Sequence, residues 1–399
     1  MYNILEDKLF QEKYKRVENA LHFRKTDRIP YVDWAQNAEV IEYYSYKSGK
    51  RNYWNMEQAC LFAKNALDMN MEHTPSYTPD TFFPTPQDLC GIFDYENAAK
   101  NMKVLKVSEN TWTTEDSAGY IWEYDYWNRW IIKHPFDDYN GAIKMLKKKT
   151  EEVQYFSNNI DWPSYASAYQ QGLVDNIEKS STPCFYLTPF GGVGFDILYL
   201  IIGWEFLSEM LYSDDIRLVK EYVNSCVDLT TQWVEKAVDK RFSPMALVYS
   251  DIAYNIGLMI SPVMLEEILG EGLNRLTEVY HKHGIKVIYH SEGNIQKFLP
   301  VLIKNGIDGI NPLEPYTGME IVETRRKYPD LVLYGGVDNG ERLLPHGTPA
   351  EVTEYVKHVI KEIGNDSGLL LASSGQIHPA CKLENVIAMI DAIRNTKVE

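Results

Sequence analysis

The sequence predicts an α/β fold, a (β/α)8 TIM barrel with an N-terminal helical and irregular extension and an antiparallel excursion. Three observations carry this expectation. From about residue 180, short β-branched or aromatic runs alternate with helix-period segments. Polar residues follow those runs directly, where barrels and doubly wound sheets place their chemistry. No Gly-rich dinucleotide turn is present, which sets a barrel ahead of a Rossmann sheet. The 399 residues are expected to form a single barrel domain, 1–399, with an N-terminal helix, first strand and irregular rim over 1–110, an excursion over 111–135 and regular βα units over 180–399.

Residues 5–24 carry Leu9, Tyr14, Val17, Leu21 and Phe23 in an amphipathic helical pattern, and Ile29 to Asp33 reads as the first strand. Between about 40 and 110 the signals are mixed, with Pro75, Pro79, Pro84 and Pro86 around Phe82 and Phe83, an irregular rim or lid of the pocket. In Thr111 to Pro135 the period changes to two: Trp112, Tyr120, Trp122, Tyr124, Tyr126 and Trp130 fall on even positions, so antiparallel strands are expected. These rings read either as a wall against a ligand or, more simply, as the excursion's own small core. Thr182 to Thr188 is the next strand candidate, followed by a glycine-rich turn, Gly191 to Gly194, that matches neither a P-loop nor GxGxxG.

Beyond residue 205 the units are regular. A helix over 214–240 precedes the strand Ala246 to Ser250, and Ser261-Pro262 opens a helix with Leu265, Ile268, Leu269, Leu273, Leu276 and Tyr280 on one face, closed by Gly284. The stretch Lys286 to Pro315 reads as strand, helix and strand, its helix carrying Ile295, Phe298, Leu299, Leu302 and Ile303. A helix over 318–327, a strand Leu331 to Tyr334, a helix opened by the capping box Thr348-Pro349-Ala350-Glu351, a strand Leu369 to Ala372 and a helix Leu383 to Arg394 complete the chain.

Composition narrows the function. Fifty-six acidic against 40 basic residues give a formal charge of −16, which argues against nucleic acid or a phospholipid surface as partner. No stretch is apolar enough to span a membrane, the longest candidate, Phe195 to Phe206, being broken by Asp196, Gly203 and Glu205. Five cysteines, at 60, 90, 184, 226 and 381, form no CxxC pair, and with no signal peptide the expected compartment is the reducing cytoplasm. Homodimerisation is left open. With 28 tyrosines and 9 tryptophans, there is ring surface to line a pocket for a flat ligand, although core packing accounts for most of it.

The strand ends bring together Asp251, His290 with Glu292, Asn311 with Glu314, Asp338, and Ser373 with Ser374. His290 and Glu292, two apart at a strand exit, suit a zinc ion, and equally a histidine satisfied by a neighbouring carboxylate. Asp251 suits a general acid or base, or a group that orients its neighbours. Asp251, His290 and Glu292 are therefore the candidate catalytic residues, with Tyr254, Asn311, Glu314, Asp338, Ser373 and Ser374 as candidates for substrate binding. Of the other histidines only His378, after the last strand, is placed to reach the mouth.

The chain resembles the uroporphyrinogen decarboxylase superfamily, and within it the corrinoid-dependent methyltransferase branch. The resemblance runs through Arg24 to Pro30, Glu115 to Trp122, Ser250 to Ala253, Ile260 to Pro262, His290 to Ile295, Asp308 to Pro315, Gly335 to Asp338, Gly347 to Val352 and Leu383 to Val386. It implies a barrel of the uroporphyrinogen decarboxylase type and a cobalamin carried by a partner corrinoid protein. In the methyltransferases an HxC motif and a later cysteine bind zinc. Here His290 matches the histidine, Glu292 stands in the cysteine's place, and Ser374 or Gly375 falls where the later cysteine belongs, with Cys381 several residues too late. Loss of the thiolates leaves a His/carboxylate site suited to an oxygen ligand. The expectation is a methyl-donor component, moving a methyl group from a small O-methyl compound, such as a methoxylated aromatic, to cob(I)alamin, with zinc as an option. The alternatives are a uroporphyrinogen decarboxylase-like decarboxylase, against which stand the two acids and no arginine in Tyr31 to Glu39, and a non-catalytic barrel that binds a corrinoid or tetrapyrrole.

Overall fold

A computed structural model describes residues 4–35, 37–47, 67, 69–73, 102–108, 111–124, 129–188, 193–365 and 367–398. The proline-rich part of the expected rim, the start of the glycine-rich turn at Gly191 and Gly192, and Tyr126 lie outside the described residues.

Asp7 caps α1 (Lys8–Leu21), its carboxylate accepting the Phe10 N–H at 2.8 Å. The buried stripe is Phe10, Val17, Ala20 and Leu21; Leu9, expected on it, is exposed. The first strand is reduced to bridges: Tyr31 pairs with Leu371 and Val32 with Met71. Helix α2 (Ala38–Lys47) leads towards β1 (Glu72–His73).

The excursion is larger than the expected 111–135. β2 (Met102–Val107), assigned from sequence to the irregular rim, pairs with β3 (Trp112–Asp116), followed by β4 (Ile121–Tyr124) and β5 (Arg129–Lys133) in one antiparallel sheet of order β2-β3-β4-β5. Its even positions Thr114, Tyr120 and Tyr124 are buried, and the Tyr120 hydroxyl donates to the carbonyl of Ile201 at 2.9 Å. The rings thus seat the sheet on the barrel, while Trp130 is 38% exposed.

Two helices unread from sequence follow, α3 (Tyr139–Asn159) and α4 (Trp162–Ser180), capped by Asp138 and Asp161. From here the βα alternation holds: β6 (Cys184–Leu187), α5 (Phe195–Ile202), α6 (Trp204–Leu211), α7 (Ile216–Ala237), then β7 (Met245–Tyr249). A small hairpin, β8 (Ala253–Tyr254) and β9 (Gly257–Leu258), precedes α8 (Pro262–Lys282). All six of the predicted apolar positions on α8 are buried, each stabilising by roughly 1.5–3 kcal/mol. The Ser261 side chain caps α8, and Gly284 takes the positive φ of +71° that ends it. β10 (Lys286–His290), α9 (Leu299–Lys304) and β11 (Gly309–Asn311) form the predicted central unit, although α9 is shorter than expected and Ile303 is 40% exposed. α10 (Ile321–Lys327), β12 (Val332–Val337), α11 (Leu343–His346), α12 (Pro349–Ile363), β13 (Leu369–Ser373) and α13 (Leu383–Asn395) finish the chain, with the Thr348–Glu351 capping box formed.

The parallel strands run β1-β6-β7-β10-β11-β12-β13, and the bridges at Tyr31 and Val32 join the two ends, so the Tyr31 segment takes the eighth place and closes a TIM barrel. Inside lies a second core of apolar side chains, among them Val32, Met71, Phe185, Met245, Leu247, Ile288, Val332 and Leu370. Among the described residues no helix is long and apolar enough to cross a membrane.

Candidate active site

Parallel register brings three residues into a row. His290 pairs with Tyr249 on one side and Asn311 on the other, so their side chains leave the last rung of β7, β10 and β11 together. The Tyr249 ring stacks on the imidazole at 4.7 Å and 18°. Asn311 Oδ1 lies 2.6 Å from His290 Nδ1, and the amide's Nδ2–H donates to the Tyr334 carbonyl. That second bond fixes which amide atom faces the ring: Nδ1 carries a proton, and Nε2 is left for the mouth.

The loops beyond these strands are tied by carboxylates. Asp251 accepts the Tyr249 hydroxyl on Oδ2 and the Glu292 N–H on Oδ1, both at 2.9 Å. Glu314 accepts the Gly293 N–H on one oxygen and the Tyr316 hydroxyl on the other. The Glu292 carboxyl accepts no hydrogen bond from a described residue. It is open to solvent in the mouth yet enclosed on its other sides, and this enclosure, with the charge of Asp251, pushes it up to about 7. Burial also raises Glu314, against its two hydrogen bonds.

A fourth acid, missed from sequence, completes the group. Asp196, in the first turn of α5, is 8% exposed, and burial followed by the charge of Asp251 pushes it up to about 7. The Ser250 hydroxyl donates to its Oδ1 at 3.2 Å. The signal was in the sequence, a lone carboxylate inside the apolar run Phe195 to Phe206. Tyr249, Tyr199 and Tyr316 also escaped the sequence reading. The phenols of Tyr199 and Tyr249 are raised by burial and then by Asp251, and that of Tyr316 by burial and then by Glu314.

Other candidates sit differently. Ser373 is turned to a buried aspartate: its hydroxyl and N–H both donate to Asp33, whose carboxyl burial raises to about 6. Ser374 exchanges hydrogen bonds with Asn339, and Asp338 Oδ1 accepts the N–H groups of Glu341 and Arg342. These three, expected to bind substrate, make hydrogen bonds that hold the loops after β12 and β13. Tyr254 is 52% exposed on the β8–β9 hairpin, and its carbonyl accepts the Asn294 N–H. His378 reaches the carbonyl of Asn339 at 2.6 Å.

Among the described residues the donor set does not fit zinc, which the sequence leaves as one of two options. Among the described residues no group of three His, Cys, Asp or Glu side chains converges to hold a metal. Cys381 is a buried thiol pushed up to about 12 by its burial. Among the described residues His290 Nε2 and Glu292 have no third ligand, and no step is routed through a metal.

The sequence profile of the family described as Uroporphyrinogen decarboxylase (URO-D) matches residues 180–396. No curated protein gives a match. Among solved structures, a methyltransferase from Methanosarcina mazei aligns with a TM-score of 0.58 over 96% of this chain and 98% of that one, at 14% identity, a likeness of fold. The 3-keto-D-glucoside 4-epimerase YcjR from E. coli covers 62% of this chain and 92% of its own at 11% identity, with a TM-score of only 0.34, and carries no argument. With the family profile spanning more than half of the chain, over the strands that build the mouth, the protein belongs to the uroporphyrinogen decarboxylase family.

Proposed function

We propose that the protein is a methyltransferase that removes a methyl group from an O-methyl substrate, a methoxylated aromatic being the first class to try, and delivers it to a reduced corrinoid on a partner protein. The observation that carries this reading is the unpartnered Glu292 carboxyl in an open barrel mouth, beside Asp251 and two residues from His290. When bound, the corrinoid supplies the nucleophile for the methyl carbon. The chain supplies the rest. As the carbon–oxygen bond breaks, the bonding pair stays on oxygen, and Glu292, holding a proton near neutrality, donates it to give the alcohol or phenol. Asp251 holds the Glu292 backbone in place, and its charge adds to burial, the larger cause, in raising the Glu292 carboxyl. His290, fixed by Asn311 and the Tyr249 ring, turns Nε2 towards the mouth, where as an acceptor it takes a hydrogen bond from a hydroxyl on the substrate beside the reacting oxygen.

The decarboxylase alternative is weaker, because a substrate bearing many carboxylates meets Asp251, Glu292, Glu314 and Asp196 there. The test is anaerobic absorbance of cob(I)alamin, free or on corrinoid protein, with this protein and a panel of methoxylated aromatics. Protein-dependent loss of the cob(I)alamin spectrum with one donor class is expected. No change with any donor would return weight to decarboxylation or to binding alone.

A further inference from the structure

We propose that the reacting oxygen of the substrate sits over Gly375, between the Glu292 carboxyl and the side-chain amide of Asn339. This rests on reading the mouth as the methyl-transfer site and deepens it: Asn339 becomes a substrate-binding residue, and Gly375 the position that sets how large a group the site admits.

The geometry starts from a missing side chain. Gly375, in the loop after β13, has φ +128°, where a residue with a Cβ is strained. A Cβ built on it would lie 3.3 Å from Asn339 Nδ2 and 3.8 Å from Glu292 Oε1. Apart from its two chain neighbours, no other described residue comes within 4 Å of that point. The carboxyl from the loop after β10 and the amide from the loop after β12 therefore border one gap, and its floor is bare backbone.

Both groups offer that gap a hydrogen. Asn339 is 6% exposed, and its neighbours orient the amide. Nδ2 donates to the Gln376 carbonyl at 2.7 Å, an oxygen that can only accept, and Oδ1 accepts the Ser374 hydroxyl at 2.9 Å. The nitrogen is therefore the atom beside Gly375, and its second hydrogen has no acceptor among the described residues. An amide so buried and half satisfied is costly unless an acceptor arrives. Glu292, holding a proton near neutrality, is a donor as well. A gap faced by two donors takes an atom with lone pairs and no hydrogen of its own, and the ether oxygen of a methoxy group is such an atom. An ammonium group, which brings only donors, is refused there. As the carbon–oxygen bond breaks, its electron pair stays on this oxygen. Glu292 delivers the proton, and the Asn339 N–H holds the growing charge until that proton arrives.

The test is ligand-observed NMR titration of the full chain, without corrinoid, with three compounds: anisole, ethylbenzene, in which a methylene replaces the oxygen, and benzene. An apolar wall alone favours ethylbenzene, the more water-averse of the first two. The wild type is expected to bind anisole about fivefold tighter than ethylbenzene, as for one net hydrogen bond. Asn339→Ala should reverse this preference. Gly375→Ala should weaken anisole about tenfold and leave benzene, which has nothing to place over residue 375, unchanged. A loop merely disturbed by either substitution would weaken all three compounds alike. That outcome in variants with native circular dichroism, or a wild type that prefers ethylbenzene, would overturn the proposal. Methyl transfer from methoxyarenes by a wild type with no preference for anisole would defeat this proposal alone. An anisole preference abolished by both substitutions, with no transfer from any donor, would defeat the transfer reading alone.

Discussion

Asp251 Oδ1 accepts the backbone N–H of Glu292 at 2.9 Å, so two acidic residues on loops after neighbouring strands are locked side by side. The Tyr249 hydroxyl occupies the other Asp251 oxygen. One carboxylate has donors on both oxygens, and its neighbour has none. The unsatisfied one, Glu292, is where a proton is best held.

Asp251→Asn should therefore move the pH dependence of methyl transfer. Glu292 is raised by desolvation and then by Asp251, to about 7, and it acts in its protonated form. Transfer by the wild type is present at low pH and falls as pH rises through about 7. Removing the Asp251 charge lowers the Glu292 value, so the falling limb shifts to lower pH. A pH–rate profile of the variant checks this, and an unmoved limb would take Asp251 out of the account.

Asp196→Asn should stabilise the protein above neutral pH. The folded carboxyl is raised from 3.8 to about 7, the reverse of the usual case for an aspartate. Its contribution to stability is full below the unfolded value and is lost as pH rises through about 7. A shift of this size corresponds to roughly 2–4 kcal/mol by pH 8, an upper range for a buried group. Urea midpoints at pH 5 and pH 8 should show the variant gaining on the wild type between the two, and standing higher at the upper one.

Asn311→Ala removes the acceptor that fixes the His290 tautomer, without touching Glu292 or Asp251. A loss of about tenfold in transfer is expected, the worth of one hydrogen bond, with the fold intact. Imidazole nitrogen NMR supplies the second readout: the wild type should show Nδ1 protonated, and the variant a mixture. Tyr249→Phe, which keeps the ring on His290 and loses only the bond to Asp251, should preserve the wild-type tautomer.

The barrel was legible because its helices announce themselves locally: Ser261-Pro262, Gly284 and the Thr348–Glu351 box are caps, and the apolar stripe of α8 needs no partner to be read. His290, Glu292 and Asp251 were legible because they follow apolar strands. What escaped depends on register and on distance in space. Tyr249 looked like another core tyrosine until its rung beside His290 was known. Asp196 comes from a helix, 55 positions before Asp251, and only folding sets them together. Ser373 and Asp33 show the same dependence on closure from the other side. Both were noticed, at opposite ends of the chain, yet the closure of the barrel at the first and last strands makes them each other's partners.

Gly293→Ala should loosen the mouth as a whole. Gly293 has φ +83°, where an alanine is strained by roughly 1 kcal/mol before any contact is counted. Its added Cβ would then lie 2.7 Å from the Tyr254 carbonyl oxygen and 2.9 Å from Ala253 backbone atoms. Backbone cannot swing aside as a side-chain tip can, so either the β8–β9 hairpin moves or residue 293 does. If residue 293 moves, its N–H leaves Glu314; if the hairpin moves, the bond from Asn294 N–H to Tyr254 breaks. Both routes disturb a residue of the mouth, and a loss of about 2–3 kcal/mol is expected together with weaker transfer. Gly172→Ala in α4 is the comparison, since its Cβ would meet nothing within 4 Å and alanine favours a helix by about 0.5–1 kcal/mol. Denaturant midpoints should fall for the first and rise for the second. A Gly293→Ala protein as stable as the wild type would mean that the hairpin is not held against the Glu292 loop.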